Sequence, residues 1–267
     1  MKEILKTILY KPLFNVLILL VFLIPGHNVG IAIILLTILV RIVLLPSSLN
    51  ASRQQKRMQD LQPEIKALQD KYKDDKQKQS EALLAFYKEN KVNPLGSCLP
   101  LLIQLPILIV LYYVFINGLN MDRFGDLLYS FTPRPDFINT NFLGIDLAKP
   151  DRYILPIIAA VLQYFQAKQT MPKLPKKVEG EEEDKSIAIQ NMVSQQMVIL
   201  MPVMTLLIAG RFPAALPLYW IVTTLFAIAQ QWWVNKEGSS KVQSKKLKAN
   251  NTVVKHGVEV TVRKKGE

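Results

Sequence analysis

Five apolar runs, each near the ~20 residues a helix needs to cross a bilayer, constrain this chain more than any other feature. They cover roughly residues 29–50, 97–118, 153–169, 195–212 and 215–234. Half of the 267 residues are hydrophobic, yet the formal net charge is +12, and the charges collect between the apolar runs rather than within them. A soluble domain would distribute its apolar residues through amphipathic periods. This blocked pattern instead predicts an all-α polytopic membrane protein with basic connecting segments. A single cysteine, Cys98, excludes an internal disulfide.

Before the first run, Leu13 to Ile24 gives only about a dozen apolar residues ahead of Pro25-Gly26. Together with "ILKTILYKP" it predicts an amphipathic helix lying in the interface over residues 1–28. The start, "MKEILKTILY", lacks a small-x-small cleavage site, so this segment is expected to be retained.

Lysine and arginine set the orientation. With Arg53, Lys56 and Arg57 at the cytoplasmic end of the first run, residues 50–97, 168–195 and 235–267 hold 24 of the 33 Lys+Arg, and the opposite side holds eight. The threefold excess places the N-terminus outside and the C-terminus inside. The expected order is therefore transmembrane segments at 29–50, 97–118, 153–169, 195–212 and 215–234. An extracytoplasmic loop spans 119–152 and a cytoplasmic loop spans 170–194. Within 51–96, Leu61, Ile65, Leu68 and Tyr72 form one apolar stripe, and Leu83, Phe86 and Tyr87 form another after "DDK". Two charged helices zipped along these stripes predict a cytoplasmic helical hairpin. The basic tail at 235–267 has little periodicity, and disorder is expected from Lys236 onward.

Polar residues inside the runs carry the functional information. Arg41 lies about 11 residues from each end of the stretch Val29 to Arg53. A charge at that depth costs about 2.5–3.5 kcal/mol even on an insertion scale. Helical spacing puts Thr37 and Ser48 on its face. Gln104 lies between Pro100 and Pro106, Gln163 and Gln166 share a face of the third run, and Asn117 and Gln230 lie nearer the ends. Tyr219 and Trp220 open the last run after "RFPAALP". A structural reading lets the glutamines hydrogen-bond across a bundle and places Tyr219 in the aromatic belt. Arg41 resists such a reading, because no Asp or Glu occurs in any of the five runs. Its charge must be met by water, by carbonyls and amides, or by a transient partner, which predicts a wet cavity within the membrane. Pro46, Pro100, Pro106, Pro156, Pro202 and Pro217 would kink the helices and open gaps between them.

Catalysis is not expected. His27 and His256, the only histidines, fall outside the five runs, so no intramembrane Ser/His pair can form, and there is no H-E-x-x-H metal site. No cofactor is implied. A small-anion transporter using Arg41 is the rival reading, although the two repeated halves with broken helices common in transporters are lacking.

Longer stretches carry a family resemblance. "LLTILVRIVLLPSSLNASRQQKRMQDLQPEIKALQDKYKDD" resembles the first core span and cytoplasmic hairpin of YidC-type membrane protein insertases (the YidC/Oxa/Alb family). "NPLGSCLPLLIQLPILIVLYYVF" resembles their second core span. "QYFQAKQTMP" and "QQMVILMPVMTLLIAGRFPAALPLYWIVTTLFAIAQQ" resemble the third to fifth. The match runs in order from about Pro12 to Trp233, and "NPLGSCLPLLIQLPIL" and "FPAALPLYW" are its most specific parts. The large extracytoplasmic domain of some members is not expected within these residues.

The resemblance implies a multi-pass protein of the cell inner membrane whose five helices enclose a hydrophilic groove, open to the cytoplasm and the lipid and closed outside. Arg41 matches the arginine of that groove and Trp220 the aromatic position bordering it. Gln163 or Gln166 matches a polar residue of the third span. Nascent membrane proteins are the implied partners, received first by the hairpin. The ribosome is implied at the basic tail and hairpin, and the Sec translocon and membrane lipids are further implied contacts. The groove would hydrate the polar part of a passing chain through Gln104 and the third-span glutamines. Arg41 would act as a transient counter-ion in low dielectric, and apolar spans would leave sideways into lipid.

Overall fold

The computed structural model describes residues 6–93, 99–124, 127–171 and 185–253, with side chains described for all of these except 99–103, 123, 185–195, 197 and 238–253. Its elements are α1 (Lys11–Leu23), α2 (Val29–Val43), α3 (Leu45–Asp60), α4 (Gln62–Lys71), α5 (Lys76–Glu89), α6 (Leu99–Gly118), strands β1 (Asn141–Phe142) and β2 (Ile145–Asp146), α7 (Ile154–Thr170), α8 (Lys185–Ala209) and α9 (Ala215–Val253). The architecture is mostly helical, as the apolar runs require. Expectations at Cys98, Pro100, most of the 170–194 loop and the last residues of the tail lie outside the described residues or side chains.

A π-helical turn, Lys6–Tyr10, leads directly into α1, so Lys6–Leu23 is one continuous helix of 18 residues. It is longer than the dozen residues counted from the sequence, because Lys6 and Lys11 do not interrupt it. Among the described residues it is the one helix long and apolar enough to cross a membrane, and the bent pair α2–α3 would be a second if taken as one broken span. It packs against the end of α6. Tyr10 accepts a 2.8 Å hydrogen bond from Asn117 Nδ2, and Leu17 packs against the neighbouring Gly118, where an added Cβ would meet it at 2.8 Å. Two residues about 10 Å apart along α1 thus meet adjacent residues of α6. Asn15, buried, holds the following loop: its Nδ2 donates to Leu127 O at 2.9 Å and its Oδ1 accepts from Tyr129 N at 2.7 Å.

The first apolar run is not one straight helix over 29–50. It bends by 68° between α2 and α3. Pro46 is the physical cause: it has no N–H for the Ile42 carbonyl and its ring clashes with that turn, so the chain restarts as a new helix with Pro46 in its first turn. Two expectations change. Arg41 lies in the last turn of α2 rather than mid-helix, and Ser48 lies beyond the bend, off the face that carries Arg41 and Thr37.

Helices α4 and α5 pack against each other as a helical pair, with Ile65 buried and Leu61, Leu68, Leu83, Phe86 and Tyr87 half-buried. Asp75 starts α5: its Oδ1 accepts from Lys78 N at 3.0 Å, and this bond with the nearby Lys78 ammonium keeps the carboxyl below its ordinary range. Helix α8 begins ten residues before the expected 195. Helix α9 continues through Lys236 to Val253, which corrects the expectation of disorder for that stretch. Its lysines, glutamine and leucine are good helix formers, and the apolar run has already supplied the costly nucleus.

The helices pack in the order α8–α7–α9–α2–α1–α6, with α6 also touching α9 and α3. Among the described residues no contact of comparable extent joins α6 to α8. The 119–152 loop ties one end together. Asn28 caps α2 by accepting from Ile31 N and donates to Asn141 O at 2.8 Å. Ala215 N donates to Leu147 O and Ala214 N to Lys149 O, joining the loop to the start of α9, with Leu147 fully buried. The β1–β2 turn places Leu143 and Gly144 at positive φ (51° and 84°), the geometry of a two-residue hairpin turn.

Candidate functional site

Three side chains from three helices form a polar chain within otherwise apolar packing. Arg41 Nη2 of α2 donates to Gln104 Oε1 of α6 at 3.4 Å, and Gln104 Nε2 donates to the Tyr219 hydroxyl of α9. The amide orientation follows from the chemistry: arginine only donates, so the amide oxygen must face it, which turns the NH2 toward Tyr219. Tyr219 is 2 % exposed and its ring lies 6.2 Å from that of Phe115, so the hydroxyl is delivered from the apolar core.

Arg41 is half-buried and forms no ion pair among the described residues. Among the described residues one of its five N–H donors is engaged, in a long bond. Two features make the charge tolerable. It lies in the last turn of α2, where unpaired carbonyls and the helix dipole favour a cation. The Gln104 amide adds an oriented dipole. Thr37, buried on the same face, is satisfied locally by a 2.6 Å bond to Ile33 O and leaves Arg41 alone. The arrangement is a guanidinium with unused donors at a helix end. It can hold water, or accept and release a carboxylate, without covalent chemistry.

The other expected residues distribute as follows. Gln163 and Gln166 are half-buried on α7, packed between α8 and α9, and neither hydrogen-bonds to Arg41. Gln163 Oε1 is a buried acceptor with no protein partner. Trp220 is half-buried against the core beside Tyr219. Ser48 and Gln230 form a separate cluster between α3 and α9: Ser48 Oγ donates to Gln230 Oε1 at 2.9 Å, and Gln230 Nε2 donates to Ser52 Oγ at 2.8 Å. Below it Arg53 pairs with Glu237 at 3.0 Å, and Trp233 Nε1 donates to the same carboxylate. Asn117 binds Tyr10 rather than the site.

Tyr219 corrects the sequence expectation. It is a buried member of the site and not part of an aromatic belt, because the "RFPAALP" turn is tied to the 119–152 loop and starts α9 inside the packed layer. The available signal was Gln104 itself, whose amide needs both an acceptor and a donor among apolar neighbours. Asn15 was also missed, since one asparagine in a short apolar block has no partner visible in the sequence.

Comparison with known proteins brings this geometry into context. The model of the 60Kd inner membrane protein family matches residues 21–241. A protein of Fusobacterium nucleatum subsp. nucleatum named membrane protein insertase YidC is 35% identical over 213 residues, 79% of this chain and 88% of that protein. One of the same name from Clostridium perfringens is 35% identical over 230 residues, covering 84% and 87%. A Cupriavidus taiwanensis protein, again so named, is 36% identical over 233 residues, 86% of this chain but 36% of the relative. The chain thus matches the shorter relatives nearly end to end and spans about a third of the longer ones.

Proposed function

The chain belongs to the 60Kd inner membrane protein family, and from that premise we propose that it is a membrane protein insertase and chaperone of the inner membrane, taking nascent membrane proteins into an intramembrane groove beside Arg41. The observation that carries this reading is the Arg41–Gln104–Tyr219 chain: a cation held at a helix end by polar groups alone, with most of its donors unused. The small-anion transporter has no comparable support, since the relatives are named insertases.

In the proposed arrangement the membrane segments are α2, α6, α7, the apolar part of α8 and the first half of α9, N-terminus outside and C-terminus inside. The exposed apolar faces of α7 and α8, among them Ile158, Val161, Phe165, Leu200 and Val203, suit lipid and would be untenable in water. Helix α1 lies across the outer ends of the bundle, in keeping with its packing against α6 at Asn117 and Gly118. The loop over 119–152 closes that end. The gap between α6 and α8 is the lateral opening, and Gln104, Gln163, Gln166 and Trp220 line or border the groove. A polar segment entering from the cytoplasm trades part of its water for these groups, and Arg41 attracts its carboxylates more strongly than in bulk solvent. The hairpin α4–α5 receives the chain. The ribosome meets the basic end of α9, with the Sec translocon and lipids as neighbours.

The test is insertion of a single-span protein with an acidic outer tail into vesicles containing this chain. Arg41→Ala is expected to abolish insertion, and neutralising the tail's acids is expected to restore it. Arg41→Lys keeps the charge but loses the planar fork, and should do much milder damage. Unchanged insertion by the Ala variant would reduce Arg41 to a hydrating or structural residue.

A further inference from the structure

A second arginine-bearing feature lies at the opposite end of α7 from the hairpin. The start of α7 and the end of α8 enclose a crevice of about 620 Å³, lined among others by Arg152, Tyr153, Ile157, Leu207, Gly210 and Arg211. None of these belongs to the Arg41 site. The volume is within the ~300–1,000 Å³ of small-ligand sites. Gly210 makes the junction: a Cβ there would meet the Arg152 Cα at 3.3 Å, so the two backbones touch and Arg152 and Arg211 come to one rim. The side chains of Arg152 and Arg211 make no hydrogen bond or ion pair with any described residue. The adjoining carboxylate, Asp151, is committed elsewhere, accepting from the N–H groups of Tyr153, Ile154 and Leu155 at the start of α7. Below the rim the wall is apolar and open, with Ile157 47% and Leu207 60% exposed.

We propose that this crevice binds one anionic phospholipid, its phosphate between Arg152 and Arg211 and an acyl chain along Ile157 and Leu207. Charge complementarity decides the occupant. Two guanidinium forks without protein partners match phosphate oxygens, the apolar wall continues from them without a polar break, and Tyr153 at the rim is an amphipathic ring of the kind enriched at headgroup level. These arginines also run against the basic bias of the opposite side, and a bound anion offsets them. Placement in the outer leaflet rests on the topology proposed above, whereas binding itself does not.

The experiment is native mass spectrometry of the full chain released from mixed micelles with phosphatidylglycerol or phosphatidylcholine. One phosphatidylglycerol is expected to be retained over phosphatidylcholine by the wild-type protein. Arg152→Gln/Arg211→Gln should weaken that adduct roughly tenfold. Ile157→Trp, a change at an exposed position that fills the crevice while leaving both arginines, should displace the same adduct. Equal retention of the two lipids, or a phosphatidylglycerol adduct unchanged in both variants, would overturn the proposal. Displacement by millimolar inorganic phosphate as readily as by lipid would do so too, since it would make this an anion site only. No insertion is measured, so a negative result here leaves the insertase reading intact, and Arg41→Ala should retain the lipid.

Discussion

At the scale of single residues, the question is how an uncompensated guanidinium survives beside apolar side chains. The local answer has two parts: the C-terminal turn of α2, and an amide that is itself held from behind by Tyr219. The second part is testable. Tyr219→Phe removes the hydroxyl that accepts from Gln104 and leaves a donor unpaired in a buried site, at a cost of about 1–3 kcal/mol. Gln104 would then turn away to recover a partner, and Arg41 would lose its oriented acceptor. Insertion of the acidic-tailed substrate should fall between wild type and Arg41→Ala, while a substrate with a neutral tail should be nearly unaffected. Equal loss for both tails would mean that Tyr219 supports packing alone. Arg41 and Gln104 were legible in the sequence because a charge and an amide within apolar runs demand partners. Tyr219 was not, because tyrosine at the start of an apolar helix fits both an interface belt and a buried hydroxyl, and only the fold chooses between them.

At the scale of elements, periodicity and length identify the helices but not how each is interrupted. Pro46 was visible as a kink. That the kink would reach 68° and separate Ser48 from Arg41 depends on α3 finding its own partner in α9, through Ser48, Gln230 and Ser52. The extension of α9 to Val253 was likewise hidden, since a lysine-rich stretch carries no burial pattern whether helical or not. The attachment of the start of α2 to the 119–152 loop is a third such case, and it has a sharp consequence at Gly30. A Cβ there would lie 2.3 Å from the Phe142 ring, so α2 and the β1–β2 hairpin can approach only because residue 30 is glycine. Gly30→Ala should therefore destabilise the protein by about 1–3 kcal/mol, the usual cost of overpacking, even though alanine favours helix. In Phe142→Gly, which removes the ring and also the Cβ that would lie 2.6 Å from the new methyl, the same Gly30 substitution should cost little or even stabilise. Thermal denaturation in detergent of the four combinations measures that coupling, and additive effects would show that the ring moves aside freely.

For the whole molecule, the packing order α8–α7–α9–α2–α1–α6 has two ends, and the chain closes one face of the gap between them only loosely, through α6 against α9. The loop over 119–152 binds the starts of α2 and α9, while α3 turns sharply away from α2 and runs against α9. The proposed route, entry beside Arg41 and release past α6, makes a prediction at this scale. Leu105 is the place to look: it follows Gln104 directly, is 47% exposed, and belongs to the helix at the end of the packing order. A photoreactive residue at Leu105 should crosslink to the apolar span of a nascent substrate stalled during insertion. The same probe at Phe22, on α1, should not. Moving the stall point until the span is fully inserted should extinguish the Leu105 crosslink, because the span has then passed into lipid, where burial of its apolar surface holds it. A crosslink equally strong at both positions, or one that persists after insertion, would place the exit elsewhere and leave the space between α6 and α8 without a part in release.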